Sequence, residues 1–504
     1  MKKILVVLLL LTAMVSVFAQ GASEQKTTVA KDSVTLVISG NPYRFYALSA
    51  KGCGGDDNLV LANVYDCLLC LEPDGTLSPA LAESYDLSAD GLTYTFHLRK
   101  GVKFHDGSEM TAEDVKFTMD KGAAGPLGAA LFINFDHCDI IDDYTVAITL
   151  SSPFAAFPYG IASRLGGICS KAYYEKVGDD GYMENPIGTG AYKLVEYVNG
   201  DHIVLEAFED HWRGAPSIKT ARIVMVADTN TKILGLQNGD YDVMKDPGIE
   251  QCKRFESVKG ISTAVGDSTA RITVNINAWS GLGTDINFRK ALQYAINKDD
   301  INKAVNNGAA KILTVDICPM YGGYPDHIQG VEYNVEKAKE YLAKSSYKGE
   351  TWSITCKAGT TYETAAKVMQ AQLLDIGIKC EVEAVDNMTY EEKGKKRNFD
   401  CRIVEEASSL IDADSIATQF TPSRFDEAVW YPRAMEIYEM AQKGRSLQGQ
   451  ERKNLYGDIA QILIDEAYTI PLYNGVNTVA YNSDLQGVQA HCLSYYVFRY
   501  WSWK

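Results

Sequence analysis

One hydrophobic core stops growing at roughly 250–300 residues, and this chain has 504. It must divide into two or three bodies. With 46% hydrophobic and 23% charged residues and no low-complexity tract, each body is a packed globule rather than a linker. The first residues read as an export signal: Lys2 and Lys3, the apolar run Ile4–Leu11, then Val17-Phe18-Ala19 with cleavage near Ala19. No later apolar run approaches the roughly 18 residues of a membrane span, so the mature protein is expected to be soluble. The first cysteine is Cys53, which removes the lipidated cysteine a lipoprotein needs at its cleavage point. Residues 1–19 are therefore assigned as a signal peptide and the mature chain to the periplasm. The full sequence carries a formal charge of −16, and loss of Lys2 and Lys3 with the signal makes the mature chain more acidic still, which opposes binding to nucleic acid and to anionic lipid.

Strands and helices alternate irregularly. Strands are predicted at Val34–Ser39, Tyr94–Leu98, Tyr192–Tyr197, Ile203–Phe208, Ala221–Val226, Arg271–Asn277, Trp352–Lys357, Lys379–Val385, Cys401–Glu405 and Thr469–Tyr473. Helices are predicted at Leu59–Leu71, Ala112–Met119 behind a Thr111/Asp114 capping box, Thr229–Gln237, Phe288–Ile296, Asp299–Val305, Thr361–Leu374, Asp426–Gln442 and Gln450–Ile464. The aromatic run Tyr495–Trp503 reads as a half-buried final strand. The class is α/β with mixed sheets. Gly188-Thr189-Gly190 opens a strand rather than a helix, which favours tight-turn duty over a phosphate cradle.

Catalytic motifs are missing. The seven histidines show no zinc spacing, and no nucleophile elbow, phosphate loop or dinucleotide fingerprint occurs. The chain is read as a non-enzyme with no cofactor and no metal. Eleven cysteines lie at irregular spacings, and the one C-x-x-C, Cys67 and Cys70, falls in an apolar stretch predicted helical, so small buried hydrophobes are favoured over redox or metal duty.

Specificity enters with Pro79-Ala80-Leu81-Ala82-Glu83-Ser84-Tyr85 and the block from Asp90-Gly91-Leu92-Thr93-Tyr94 to Phe104-His105-Asp106-Gly107, continuing through Thr111-Ala112-Glu113-Asp114-Val115-Lys116-Phe117. With Val64-Tyr65-Asp66, Pro186–Tyr192, Gly239–Val243, Arg289–Asn297 and Ile470–Tyr473 in the same order, the chain resembles the family 5 extracellular solute-binding proteins, the peptide and nickel receptors of ABC importers. The resemblance implies a large, three-domain, two-lobed binding protein with a central ligand cleft. A discontinuous first domain would combine Val34–Asn58, Pro186–Asp267 and Val476–Lys504 around an inserted Leu59–Asn185. A third domain, Ser268–Gly475, would form the second lobe, with hinge crossings near Asp267 and Gly475. Partners would be a small solute, foremost a short peptide, and inner-membrane permease subunits, the receptor itself being a monomer. An oligosaccharide, a metal chelate, a cationic metabolite or a sensory role are the alternatives.

Peptide receptors of that family carry an Asp for the ligand's α-amine where this chain has Ser409, within Glu405–Asp414. Neutral Ser409 cannot make the charge-assisted bond. Glu405 and Glu406, at the end of a strand, are candidates to replace it, with Ser408 beside them. Asn41, Tyr43 and Arg44 after the first strand, Trp279 and Tyr473 complete the candidate ligand contacts, aromatic faces with a few polar groups suiting a variable ligand.

Overall fold

The computed structural model describes residues 31–49, 55–125, 132–163, 166–408, 410–420 and 431–504. The export segment lies outside them, as do Ser409 and the first residues of the predicted helix Asp426–Gln442, whose described part is Ala434–Gly444.

In chain order, β1 (Ser33–Ile38) precedes an insert carrying β2 (Leu69–Leu71), β3 (Leu77–Pro79), β4 (Ala82–Leu87), β5 (Thr93–Leu98), β6 (Phe135–Asp142) and β7 (Thr145–Leu150). Then come β8 (Tyr192–Val198), β9 (His202–Ala207), β10 (Thr220–Met225), β11 (Val243–Lys245) and β12 (Ile261–Ile276). The remainder of the sheet is β13 (Trp352–Lys357), β14 (Cys380–Val385), β15 (Cys401–Glu406) and β16 (Thr469–Asn482). Ten of these strands form one mixed sheet, ordered β14-β13-β15-β12-β16-β11-β1-β10-β9-β8.

Strands β12 and β16 span 16 and 14 residues, about 50 Å of extended chain at ~3.3 Å per residue. Their register shifts between Asp267 and Arg271. Before the shift β16 is flanked by β11, and after it β12 is flanked by β15. The sheet is thus two half-sheets sharing two continuous strands, and the two lobes hang on that pair. Opposite the shift, a Cβ on Gly475 would stand 3.1 Å from Ala270 Cβ and 3.2 Å from its carbonyl oxygen, so a larger residue would push the crossing apart.

The insert's sheet, β4-β5-β7-β6, follows from strict alternation: β5 and β7 both bury every second residue. The helix Ala112–Ala124 opens with the predicted Thr111/Asp114 capping box. The Gly188-Thr189-Gly190 turn packs onto the end of the helix Asp57–Val64, where a Cβ on Gly188 would lie 2.1 Å from the Val64 carbonyl oxygen. The Phe154 and Phe157 rings share one buried core with Ile411, Ala413, Ile437 and Tyr456, so this segment packs against the helices Ala434–Gly444 and Gly449–Glu466. Cys138, Cys252, Cys318, Cys356, Cys380, Cys401 and Cys492 are buried, as small hydrophobes.

Two sequence expectations fail locally. The apolar stretch Leu59–Leu71 is a helix only to Val64, and Leu69–Leu71 is strand. The carboxamide of Asn63 explains the stop: it donates to the carbonyl oxygens of Leu59 and Tyr496 and accepts from the Phe498 N–H, tying the helix end to the C-terminal segment. Cys67 and Cys70 therefore sit beyond the helix. The C-terminal run is not a strand either. Phe498–Tyr500 is a 3-10 turn, and only Ser502–Trp503 pairs, with Leu485–Gln486. Tyr495, Tyr496, Phe498 and Trp501 are buried while Tyr500 is exposed and Trp503 partly so, so the run is half-buried as expected but not as a continuous strand.

Candidate functional site

Directly opposed residues of antiparallel strands share a face, and successive residues alternate. The register of β12 with β15 pairs Arg271 with Glu406, Thr273 with Val404 and Asn275 with Arg402, which places these six on one face. The other face carries Ile272, Val274, Ile276, Cys401, Ile403 and Glu405. All but Glu405 are buried there against the helices Ile286–Ala295, Lys298–Asn306 and Thr361–Asp375.

A cavity of about 460 Å3 opens over the polar face, lined by Asn275, Trp279, Arg397, Phe399, Arg402, Glu406, Phe420 and Tyr431. That volume lies in the range of small-ligand sites, ~300–1,000 Å3. The Trp279 ring stands edge-on to Phe399 at 5.7 Å and to Tyr431 at 5.5 Å. Its backbone N–H donates to Asn277 Oδ1 at 3.1 Å, which fixes the ring just after β12 ends. The Arg397 guanidinium lies 5.2 Å from the Trp279 ring, carried by a residue whose left-handed backbone (φ 54°) ends the helix Asn387–Lys396. The Arg402 guanidinium lies 5.3 Å from both the Phe399 and Tyr390 rings.

Two neighbouring buried atoms have no hydrogen-bond partner among the described residues, the donor Nε of Arg402 and the acceptor Oδ1 of Asn275. Leaving such groups unmade costs ~1–3 kcal/mol each, more for a charged one. Charge in the cavity is uneven, with Lys395, Arg397 and Arg402 against the carboxylate of Glu406. Beneath it, Arg271 is buried and donates through Nε to Asp316 Oδ1 at 2.8 Å. Burial works against its charge, but Asp316, Tyr321 and Glu406 outweigh it and hold the guanidinium charged.

Of the residues singled out in the sequence, Trp279 and Glu406 meet in this cavity. Glu405 points to the opposite face and accepts a short hydrogen bond from the Tyr362 hydroxyl; Tyr473 is buried on that same face. Ser408 Oγ accepts from the Leu410 N–H at 3.1 Å. Asn41 is engaged with Asn199 and Gly200 at the β8–β9 turn, and Arg44 is paired with Asp57 at 3.0 Å with the Tyr43 ring beside it. Arg397, Phe399, Arg402 and Tyr431 were not anticipated. The signal for Arg402 was present, two residues from Val404 and four from Glu406 on a strand of period two.

Residues 76–426 match the family described as bacterial extracellular solute-binding proteins, family 5 Middle. A glutathione-binding protein of Escherichia coli O6:K15:H31 is 30% identical over 448 residues, 85% of this chain and 86% of the relative. Among solved structures, the ABC transporter substrate-binding protein CtaP of Listeria monocytogenes superposes with a TM-score of 0.84 at 22% identity, covering 94% of this chain and 99% of its own. The periplasmic binding protein DppA of Helicobacter pylori, in complex with the peptide STSA, gives 0.74 at 24% identity, over 94% and 98%. With its match spanning most of the sequence, on a sheet whose two lobes share two long strands, the chain belongs to the bacterial extracellular solute-binding proteins of family 5.

Proposed function

We propose that the chain captures a short peptide bearing free carboxylates, holding it on the polar face of β12 and β15. As a family 5 solute-binding protein it serves an ABC importer. The observation that carries the ligand class is a cavity lined by three cationic side chains, Lys395, Arg397 and Arg402, and one carboxylate, Glu406, with the buried Nε of Arg402 and Oδ1 of Asn275 left without partners among the described residues on its wall. A carboxylate is the natural partner of a guanidinium. Glu406 supplies the matching group for an ammonium, in place of the Asp that Ser409 replaces, while Trp279, Phe399, Phe420 and Tyr431 give apolar walls that tolerate different side chains. The relatives named for glutathione fit this chemistry, since that molecule presents two carboxylates and one ammonium. The balance of cations over carboxylate disfavours a cationic metabolite.

On this reading the signal peptide is removed near Ala19, and the protein works as a periplasmic monomer that hands its ligand to the permease. The lobes divide as Val34–Asn58, Pro186–Asp267 and Val476–Lys504 with the insert Leu59–Asn185, against Ser268–Gly475.

Titration calorimetry with glutathione tests the proposal, followed by mass spectrometry of the recovered ligand. Saturable one-site binding, weakened by Arg402→Gln and returning unchanged glutathione, supports it. Tight binding of a polyamine in place of any carboxylate ligand, or release of a chemically altered product, overturns it.

A further inference from the structure

The two strands that cross between the lobes are not covered alike. Asp246 N–H donates to Thr478 O at 3.0 Å and Asn482 N–H to Asp242 O at 2.8 Å, so residues 478 and 482 turn their backbone groups toward β11. In an antiparallel ladder that direction alternates along the strand. Asn477 and Val479 therefore face β12, where they pair with Gly266 and Ala264. On β12 the N–H and C=O of Thr263 and Val265 must then point away from β16. Among the described residues no strand pairs with that side, because β15 joins β12 only from Arg271 onward. An open edge of this kind is a template for another strand.

Beside this edge lies a second cavity, of about 510 Å3, lined by Val265, Asp267, Lys311, Met320, Asp74 and Ala490 among others. Its walls come from the Glu72–Gly75 turn of the insert, from the loop carrying Lys311 and Met320, and from the C-terminal segment. Its charges are of both signs: Lys311 Nζ lies 2.5 Å from Asp267 Oδ2 and is largely exposed, and Asp74 stands across the turn. Thr76 donates to the Asp74 carboxyl from both its hydroxyl and its backbone N–H, holding the group below the usual carboxylate range.

We infer that this crevice is a second peptide site, in which an extended peptide adds a strand to β12 at Thr263 and Val265. Strand addition supplies affinity through main-chain bonds and is indifferent to side-chain identity. Asp74 and Asp267 suit the peptide's ammonium and Lys311 its carboxylate, the complement a zwitterion requires. Val265 and Asn275 are ten residues apart on β12, about 30 Å, so a tripeptide cannot fill both cavities. The inference rests on the reading that the solute is a peptide but not on the Arg402 cavity.

The test is calorimetric titration of the full chain with trialanine, and with trialanine N-methylated at its central residue. Val265→Pro removes an outward N–H at an edge position where proline is tolerated, and Val265→Ala controls for the side chain. The expected result is two trialanine sites, one of them weakened roughly tenfold, the worth of a lost backbone hydrogen bond, by Val265→Pro or by N-methylation. That same site should be unaffected by Val265→Ala and by Arg402→Gln. A single site that responds to Arg402→Gln and not to Val265→Pro overturns the inference and leaves the Arg402 cavity standing. A single site with the reverse response upholds the inference and removes the Arg402 cavity. Absence of trialanine binding overturns the inference, and amide exchange at Thr263 and Val265 that trialanine leaves unchanged does the same.

Discussion

Gly394→Ala is the substitution that separates ligand binding from folding most cleanly. Gly394 lies in the helix Asn387–Lys396, where alanine is up to ~1 kcal/mol better than glycine. The added Cβ would stand 2.0 Å from Arg402 Nη1 and 2.8 Å from its Cζ, with nothing else nearer than the guanidinium. The end of a long flexible side chain yields more easily than backbone, so Arg402 swings out and the helix stays. Its contacts with the Tyr390 and Phe399 rings are lost, ~0.5–1 kcal/mol each at a partly exposed site. Stability should therefore move by no more than about 1 kcal/mol in either direction. Affinity should move far more. A hydrogen bond to a charged group is worth ~1.5–3 kcal/mol, which makes glutathione binding roughly 10- to 150-fold weaker. Thermal denaturation and calorimetry on the same preparation read both quantities. An intact melting curve with unchanged glutathione affinity would refute the assignment of Arg402 to the ligand.

The remaining predictions concern the neighbouring carboxylates, a buried ion pair and a histidine. Glu406→Gln should weaken binding of a peptide with a free amine by roughly tenfold or more and leave an N-acetylated peptide unaffected, while Glu405→Gln, on the opposite face, should change neither; equal losses from both, measured by calorimetry, would contradict the strand alternation. Arg452 is buried with both Nη atoms on the Asp412 carboxylate, at 2.7 and 2.6 Å, so Arg452→Met strands a buried charge and should cost ~3–5 kcal/mol in urea unfolding, whereas a loss under 1 kcal/mol would show that the pair is not desolvated. His105 is held neutral by burial, its Nδ1 accepting from the Gly188 N–H and its Nε2 donating to Gly190 O, and it titrates near 4 instead of 6.5. The unfolded chain takes up that proton first, so His105 contributes stability that is complete above about pH 6.5 and falls by ~3 kcal/mol as pH drops through 4. His105→Gln should flatten that part of the pH profile of the urea midpoint, and an unchanged slope would place the titration elsewhere.

The scaffold was legible because it is local. Thr111 and Asp114 cap a helix through bonds three residues apart, and β5 alternates because one of its faces meets the insert's core. Where the sequence misled, the deciding contact came from far away. Leu59–Leu71 is apolar enough to continue as helix, but Asn63 is claimed by Tyr496 and Phe498, more than 430 positions later. The same long-range packing draws Tyr495, Tyr496, Phe498 and Trp501 of the aromatic run into the core and breaks the strand its alternation predicts.

The candidate site divides along the same line. Trp279 and Glu406 could be named because each lies where a strand ends, yet choosing between Glu405 and Glu406 required knowing which face of β15 meets the helices and which meets the cavity. One register fact, Asn275 opposite Arg402, settles it and brings in the guanidinium at the same time. A shift of one residue in that pairing would exchange the two faces. It would bury Arg402 and Glu406 against Val274 and Leu373 and offer Ile403 to the cavity. The apolar wall of Ile272, Val274, Ile276 and Ile403 makes that exchange costly, so the core on one side of the sheet is what fixes the ligand chemistry on the other.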